Sequence, residues 1–215
     1  MTPASAQQLI LFDLDNTLYG AEKDLFSLID RRINRFMEEI VGIDPGDVDP
    51  LRRYYWQEYG VTLQGLIRHF DVDPEAYLHF VHDVDVTSRL SSDPALAAIL
   101  SALPQRKVVF TNGSSAHAER VLAALGIRQA FETVFDIRVA NYLLKPFLAP
   151  YEQIVARLAV APADCVMVED VAANLAPAKT LGMTTILVGG SGELPPFVDL
   201  RIATIHEIAT ALQRL

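Results

Sequence analysis

Short apolar runs recur along the chain and predict strands. They lie at residues 8–14, 107–110, 165–168 and 185–188, and they are rich in Val, Ile, Leu and Phe with little polar alternation. A continuous apolar run of this length is typical of a strand that is buried on both faces of a parallel sheet. We therefore predict four central strands.

Helical periodicity fills the intervals between these runs. Helices are predicted at residues 94–103, 116–125, 149–158, 172–181 and 206–212. Strands that alternate with helices predict an α/β fold with a doubly wound parallel sheet.

Residues 19–87 interrupt this alternation. They contain amphipathic helical patterns at 25–40, 51–59, 63–70 and 75–82, and no convincing strand. An insertion directly after the first strand lies over the carboxyl ends of the strands, where ligands bind in open α/β sheets. We predict two domains, a core of residues 1–18 and 88–215 and a helical cap of residues 19–87.

Charge narrows the range of partners. The formal net charge is -9, from 18 basic and 27 acidic residues, which argues against a broad surface for nucleic acid or for an anionic membrane. An anionic substrate would need local positive charge, from a lysine or from a bound cation. We therefore expect any partner to be a small molecule, and the sequence does not indicate an oligomeric state.

The location of the protein is predicted from its apolar segments and its cysteine. No run approaches about 18 apolar residues, and no basic segment precedes the first apolar run, so neither a membrane span nor a signal peptide is expected. The single cysteine, Cys165, lies in a predicted strand and is expected to be a buried structural thiol. These features predict a cytoplasmic protein.

Polar residues follow the first and second predicted strands. Asp13, Asp15 and Thr17 come at the exit of the first strand, where both carboxylates can point toward the crevice; a strand-ending turn is the alternative. Thr111 and Asn112 follow the second strand and precede a helix, where they can hold phosphate oxygens or simply cap the helix.

Charged residues mark two further loops. Glu169 and Asp170 follow the third strand, and adjacent carboxylates repel each other unless a cation such as Mg²⁺ lies between them; an acidic first helical turn is the alternative. Lys145 alone would be a surface lysine, but beside aspartates and a phosphate it would balance their charge. All four clusters fall at the same edge of the predicted sheet, so we expect one site.

These clusters resemble, in order, the four motifs of haloacid dehalogenase superfamily phosphatases: Asp13-x-Asp15-x-Thr17, Thr111-Asn112, Lys145-Pro146 and Glu169-Asp170. The resemblance implies a Rossmann-like core with an inserted α-helical cap of the C1 type. It also implies a Mg²⁺-dependent phosphomonoester hydrolase. In such an enzyme Asp13 attacks phosphorus and becomes an aspartyl phosphate, while Asp15 is the general acid and base.

The same resemblance assigns the remaining site residues. Mg²⁺ would be held by Asp13, the backbone carbonyl of Asp15, and Asp170, with Glu169 ligating it directly or through water. The phosphoryl group would be held by Thr111 and Lys145, which are assigned catalytic roles. It would also be held by Asn112 and Thr17, which are assigned roles in substrate binding. Asp15 distinguishes the chain from the dehalogenases that name the superfamily, which lack a second aspartate there.

A narrower resemblance involves the predicted cap. Residues 15–19 and 55–66 resemble the pyrimidine 5'-nucleotidase subgroup, although Gly20 stands where we would expect a proline. This implies nucleoside 5'-monophosphates such as UMP and CMP as substrates. Tyr55 and Tyr59, in an aromatic run with Tyr54 and Trp56, are candidates to stack on a base; packing in the cap core is the alternative.

Other functions stay open. A capped sugar-phosphate or phosphoglycolate phosphatase, or a phosphoglucomutase, would carry the same motifs. An aspartyl-phosphate switch such as a response-regulator receiver would also use an aspartate, a threonine and a lysine on a parallel sheet, but Asp15 argues against it. An inactive binding module would be expected to lack a motif residue, and none is missing.

Overall fold

A parallel sheet forms the centre of the molecule. The computed structural model describes residues 8–215, and in this range the sheet has six strands in the order β3-β2-β1-β4-β5-β6, with every neighbouring pair parallel. The strands are β1 (Leu9–Phe12), β2 (Arg106–Phe110), β3 (Thr133–Phe135), β4 (Cys165–Glu169), β5 (Thr184–Val188) and β6 (Leu200–Ile202). The predicted α/β fold class is confirmed.

The four predicted strands are β1, β2, β4 and β5, and their ends lie within two residues of the predicted ones. The prediction missed β3 and β6, which form the two edges of the sheet. Each of these strands has only three residues. A segment of that length is too short to show a periodic pattern.

Helices lie on both faces of the sheet and in the segment after β1. They are α1 (Phe26–Arg35), α2 (Pro45–Tyr59), α3 (Thr62–Phe70), α4 (Pro74–Val81), α5 (Pro94–Ala102), α6 (Ser115–Leu125), α7 (Leu148–Leu158), α8 (Ala172–Thr180) and α9 (Ile208–Leu212). A π-helical turn, Phe36–Ile40, continues α1. Each predicted helix is present.

The start of α2 differs from the prediction. The helix was predicted from residue 51, directly after Pro50, but it begins at Pro45. Asp44 caps it by accepting a hydrogen bond from the Gly46 N–H at 2.9 Å. Proline has a suitable backbone angle for the first helical position, so this sequence starts the helix early.

The alternation of side chains along β1 divides the apolar core into two layers. Ile10 and Phe12 point into the layer beneath α5, α6 and α9, whereas Leu9 and Leu11 point into the layer beneath α7 and α8. All four side chains are fully buried. Burial of such a side chain stabilises the fold by about 1.5–3 kcal/mol.

Helices α1 to α4 pack around a third apolar cluster. It includes Ile29, Tyr55 and Leu78 from these helices, and Ile137 and Leu144 from the segment between β3 and α7. Most of the cluster belongs to the segment predicted to be the cap, but Ile137 and Leu144 belong to the predicted core. The boundaries of the cap and the core stay a prediction.

The parallel register brings the ends of the strands to one edge. The Asp13 N–H donates to the Val168 carbonyl at 2.9 Å, and the Thr111 N–H donates to the Phe135 carbonyl at 2.9 Å. The residues that follow β1, β2 and β4 therefore lie side by side. None of the helices in the described part of the chain is long and apolar enough to cross a membrane.

Candidate active site

Lys145 lies at the centre of the site and is almost fully buried. Its Nζ donates to Asp13 Oδ1 at 2.7 Å, to Glu169 Oε2 at 2.7 Å and to the Phe110 carbonyl at 2.8 Å. These acceptors come from the ends of three adjacent strands, β1, β4 and β2. The ammonium group thus joins the predicted nucleophile to the predicted metal-binding carboxylates.

Asn112 fixes the backbone of Lys145. Its Nδ2 donates to the Lys145 carbonyl at 3.0 Å, and its Oδ1 accepts from the Lys145 N–H at 2.9 Å. Asn112 also lines the cavity of the site, and its role in substrate binding stays a prediction. Its amide therefore positions the lysine whether or not it also binds substrate.

A tight turn after β1 presents the first motif. Leu14 O accepts from the N–H groups of Thr17 and Leu18 at 3.3 and 3.0 Å, and Asn16 adopts φ 62 within the turn. Asparagine tolerates this left-handed conformation better than most residues. The turn allows Asp13 and Asp15 to line the same cavity.

Thr17 lies between carboxylates and is not among the residues that border the cavity, so its predicted role in substrate binding stays a prediction. Its Oγ1 is 3.1 Å from Asp13 Oδ2 and 3.1 Å from Asp170 Oδ1. The turn directs the hydroxyl back toward the end of β4. Thr17 therefore orients these two carboxylates.

Asp13, Glu169 and Asp170 form a group of carboxylates whose oxygens lie within 4.8 Å of one another. Burial raises the pKa of Asp13 to about 6 and that of Glu169 to about 8, with neighbouring carboxylates adding to both rises and Lys145 opposing them. Burial also raises the pKa of Asp170. One lysine does not balance three clustered carboxylates. The group therefore has the donor atoms and the excess negative charge that suit a divalent cation with a preference for oxygen ligands.

Asp15 is bound through one oxygen. Its Oδ1 accepts a hydrogen bond from the Tyr19 hydroxyl at 2.6 Å and lies 2.9 Å from His117 Nε2. Burial acts to raise the pKa of Asp15, but His117 and Tyr19 outweigh it, so the pKa is lowered. These two contacts stabilise the carboxylate form.

His117 was not predicted to belong to the site. It is fully buried in the first turn of α6, on the same side of the helix as the buried Val121 and Leu125. His117 stands four and eight residues before Val121 and Leu125, so helical spacing places it on the buried side of α6. This spacing is the one signal in the sequence that indicated an internal partner for His117. Sequence alone did not identify that partner as Asp15.

His82, which follows α4, packs against His117. The two rings stack with centroids 4.8 Å apart, and His82 Nδ1 lies 3.0 Å from Leu78 O and 3.2 Å from Ser114 Oγ. Burial and the neighbouring His117 lower the pKa of His82 to about 4. His82 is therefore uncharged at neutral pH.

A cavity of about 960 Å³ opens above these groups. All of the predicted catalytic and metal-binding side chains border it: Asp13, Asp15, Thr111, Lys145, Glu169 and Asp170. Its other walls come largely from α1 to α4 and include Arg52 and Trp56. The geometry thus places the predicted nucleophile, the predicted acid and base, and the cluster of carboxylates around one space.

The sequence profile of the family described as "haloacid dehalogenase-like hydrolase" matches residues 7–182. This match covers most of the chain and includes all four motifs. The chain belongs to this family of hydrolases.

One curated protein with a similar sequence is "Phosphate metabolism protein 8" of Saccharomyces cerevisiae. It is 30% identical over 141 residues, which are 61% of this chain and 44% of that protein. The chain thus matches less than half the length of that relative.

Solved structures with the same fold include a phosphatase and a dehalogenase. CbbY from Rhodobacter sphaeroides in complex with phosphate has a TM-score of 0.66 at 22% identity over 97% of this chain and 99% of that chain. A HAD phosphatase from Thermococcus onnurineus has a TM-score of 0.63 at 20% identity over 95% and 97%. L-2-haloacid dehalogenase from Xanthobacter autotrophicus has a TM-score of 0.60 at 18% identity, over 96% of this chain and 98% of that chain. At these identities the similarities show the shared fold alone.

Within this hydrolase, Tyr55 and Tyr59 are not among the residues that border the cavity, an arrangement that favours the alternative of packing in the cap core, and their role in base stacking stays a prediction. Tyr55 is 2% exposed, and its ring stacks on His69 with centroids 5.4 Å apart. The Tyr59 hydroxyl lies 2.9 Å from His69 Nε2. Both tyrosines lie on the side of α2 that packs against α3. Trp56, one residue further around the helix than Tyr55, borders the cavity and is 66% exposed.

Proposed function

We propose that this hydrolase is a Mg²⁺-dependent phosphatase that uses Asp13 as a covalent nucleophile. The observation that carries the proposal is the placement of Asp13 and Asp15 on one cavity, with Asp13 also bordering the carboxylate group. Hydrolysis of a phosphomonoester through a covalent intermediate needs both a nucleophile and a proton donor.

Asp13 starts the reaction by attacking phosphorus and forming an aspartyl phosphate as the bond to the leaving oxygen breaks. Lys145 and Thr17 each contact one Asp13 oxygen and hold the carboxylate in place. Asp15 gives its proton to the leaving alcohol. Its hydrogen-bond donors stabilise the carboxylate, so Asp15 must take up the proton that it transfers when the anionic substrate binds beside it.

Asp15 also completes the second half of the reaction. It takes a proton from the water that attacks the aspartyl phosphate, which releases phosphate and restores the Asp13 carboxylate. One residue therefore acts as acid and then as base.

Asp13 and Asp170 are the residues best suited to hold Mg²⁺, together with the backbone carbonyl of Asp15. Glu169 already accepts from Lys145 through Oε2 and from the Val171 N–H through Oε1 at 3.2 Å. We therefore assign Glu169 an indirect role, through Lys145 or a water. Bound Mg²⁺ would neutralise charge on the transferring phosphoryl group.

Asp15 also favours a phosphatase over a dehalogenase. A halide leaves as a stable anion and needs no proton, whereas an alkoxide leaves much faster when it is protonated. An aspartate held beside the nucleophile by Tyr19 and His117 supplies that proton.

We further propose that the substrates are pyrimidine nucleoside 5'-monophosphates. The resemblance of residues 15–19 and 55–66 to the pyrimidine 5'-nucleotidase subgroup supports this assignment. The cavity volume falls within the roughly 300–1,000 Å³ range of small-molecule sites. Trp56 offers an exposed aromatic face on its wall, and stacking on such a face contributes about 1–3 kcal/mol per base. The relative named for phosphate metabolism agrees with the coarser assignment.

The first test is phosphate release from nucleoside 5'-monophosphates, sugar phosphates and an aryl phosphate, with Mg²⁺ or with EDTA. We expect release that needs Mg²⁺, is abolished in Asp13→Asn and is fastest with UMP or CMP. Faster release from sugar phosphates would keep the mechanism and reject the nucleotidase assignment. No release from any substrate would favour an aspartyl-phosphate switch or a binding module.

A second test separates base stacking from general damage to α2. Trp56→Ala should raise the KM for UMP by about 5-fold to 150-fold, which corresponds to a loss of roughly 1–3 kcal/mol of stacking. Tyr54→Ala is the matched control, because Tyr54 is also an exposed aromatic residue of α2 but does not line the cavity. Equal effects of the two substitutions would reject a role for Trp56 in base binding.

A further inference from the structure

Asp15 is contacted by two residues far apart in the sequence, one at the start of the predicted cap and one in the predicted core. Tyr19 follows the first motif, where the chain leaves the sheet, and its hydroxyl donates to Asp15 Oδ1 at 2.6 Å. His117 belongs to α6, and its Nε2 lies 2.9 Å from the same oxygen. His82, where the chain leaves α4, stacks on the His117 ring.

We propose that His117 is a positioning residue that holds the Asp15 carboxylate in the orientation needed for proton transfer. Tyr19 is its partner in this role. The proposal rests on the proposed phosphatase function and goes beyond it by assigning a task to a buried histidine outside the four motifs.

The tautomer of His117 follows from its surroundings. Its Nδ1 is buried and has no hydrogen-bond partner among residues 8–215. A buried N–H without an acceptor is unfavourable, so the proton of a neutral His117 belongs on Nε2, where Asp15 accepts it. The ring therefore acts as a fixed donor to Oδ1.

The geometry leaves the other oxygen of Asp15 for chemistry. Within the described residues, hydrogen bonds to the Asp15 side chain reach Oδ1 only. Asp15 also borders the cavity, so Oδ2 can exchange a proton with the leaving group or with water. Two donors on one oxygen restrict rotation of the carboxylate, and such orientation is required for efficient proton transfer.

His82 restricts His117 in turn. Its ring lies 4.8 Å from that of His117 and is itself held by Leu78 O and Ser114 Oγ. His117 is fully buried, so it has no room for another rotamer without displacing core residues of α6. The donor to Asp15 is therefore rigid.

The test compares substrates whose leaving groups differ in their need for a proton. We would measure kcat/KM, which reports formation of the aspartyl phosphate, for 4-nitrophenyl phosphate and for an alkyl phosphate at saturating Mg²⁺. 4-Nitrophenolate leaves without a proton, whereas an alkoxide does not. His117→Leu should therefore lower kcat/KM for the alkyl phosphate by at least about 10-fold more than for the aryl phosphate, within the range of general acid catalysis.

Two further substitutions keep the test informative if His117→Leu does not fold. His117→Gln retains a side-chain N–H near the position of Nε2 and should recover part of the lost alkyl phosphate activity. Tyr19→Phe removes only the second hydrogen bond, and it should also reduce activity on the alkyl phosphate more than on the aryl phosphate.

His206→Leu is the matched control. His206 Nε2 also lies 2.9 Å from an aspartate, Asp93 Oδ2, but this pair is partly exposed and outside the site. The control should leave the ratio of the two kcat/KM values unchanged.

Equal loss on both substrates in His117→Leu and in Tyr19→Phe would overturn the proposal and leave His117 as a packing residue. If the unmodified protein released phosphate from neither substrate, the phosphatase function itself would be wrong and the role of His117 would fall with it. Phosphate release by the unmodified protein therefore distinguishes failure of the His117 proposal from failure of the phosphatase function.

Discussion

The ammonium of Lys145 lies 2.7 Å from Glu169 Oε2, and both side chains are 1% exposed. The same ammonium also lies 2.7 Å from Asp13 Oδ1. Burial lowers the pKa of Lys145, but Asp13 and Glu169 outweigh it, so the pKa is raised. The lysine therefore stays charged, and the buried carboxylates depend on it.

Lys145→Met should reduce both stability and activity. Removing one partner of a buried ion pair leaves an uncompensated charge, which typically costs about 3–5 kcal/mol. Urea unfolding at pH 7 in EDTA measures this loss. Lys179→Met is the control, because its ammonium pairs with the more exposed Asp199 at 2.5 Å and should cost only about 0–1 kcal/mol. Similar losses in the two variants would contradict the structural role of Lys145.

Magnesium should stabilise the folded protein. A ligand present at 100 times its dissociation constant adds about 2.7 kcal/mol to the free energy of unfolding, and for a chain of this size that raises Tm by roughly 5–11 °C. Thermal unfolding with Mg²⁺ and with EDTA measures the shift. Asp170→Asn should remove most of the shift, whereas Glu193→Gln, an exposed carboxylate outside the site, should preserve it. A full shift in Asp170→Asn would argue against Asp170 as a ligand.

His82 should make the protein less stable in acid. Its pKa is about 4 in the folded state, lowered by burial and by His117, against an ordinary value of 6.5. The unfolded chain therefore binds more protons between these values, and stability falls as the pH drops from about 6.5 to 4. Asp13 and Glu169, whose pKa values are raised, act in the opposite direction over part of this range.

The contribution of His82 is measured as a difference between proteins. Between pH 6.5 and pH 4, the free energy of unfolding of the unmodified protein should fall by about 3 kcal/mol more than that of His82→Gln. This difference is the free energy that corresponds to the lowered pKa of His82. His79→Gln, at an exposed position of α4, should follow the unmodified protein. Parallel pH profiles for His82→Gln and the unmodified protein would show that His82 does not carry this pH dependence.

Gly65→Ala should destabilise the packing of α2 against α3. A Cβ at residue 65 would lie 2.1 Å from Tyr55 Cγ, so the ring would have to move. Overpacking typically costs about 1–3 kcal/mol, more than the roughly 1 kcal/mol that alanine gains in helix propensity. Gly46→Ala in α2 is the control, because its Cβ would meet only Asp44 Oδ1, at 3.2 Å. Equal stabilities of the two variants, measured by thermal unfolding, would contradict close packing of Tyr55.

The sequence predicted the central strands and the motif positions because both depend on local pattern. The apolar runs of β1, β2, β4 and β5 are long enough to be recognised as strands from the sequence. Because these strands are parallel, the residues that follow them lie at one edge of the sheet. Gly20, where a proline was expected, adopts φ -77 and ψ 151, which proline can also adopt, so this departure changes no backbone geometry.

Tertiary structure decided what local pattern does not encode. Periodicity indicated that α2 is helical, but only its packing against α3 placed Tyr55 inside and Trp56 on the cavity. The edge strands β3 and β6 are defined by their pairing partners, and their few residues carry no clear pattern of their own. The contact of His117 with Asp15 joins residues 102 positions apart in the sequence. Helical spacing shows that a side chain points inward, but the partner it meets there depends on how α6 packs against the turn after β1.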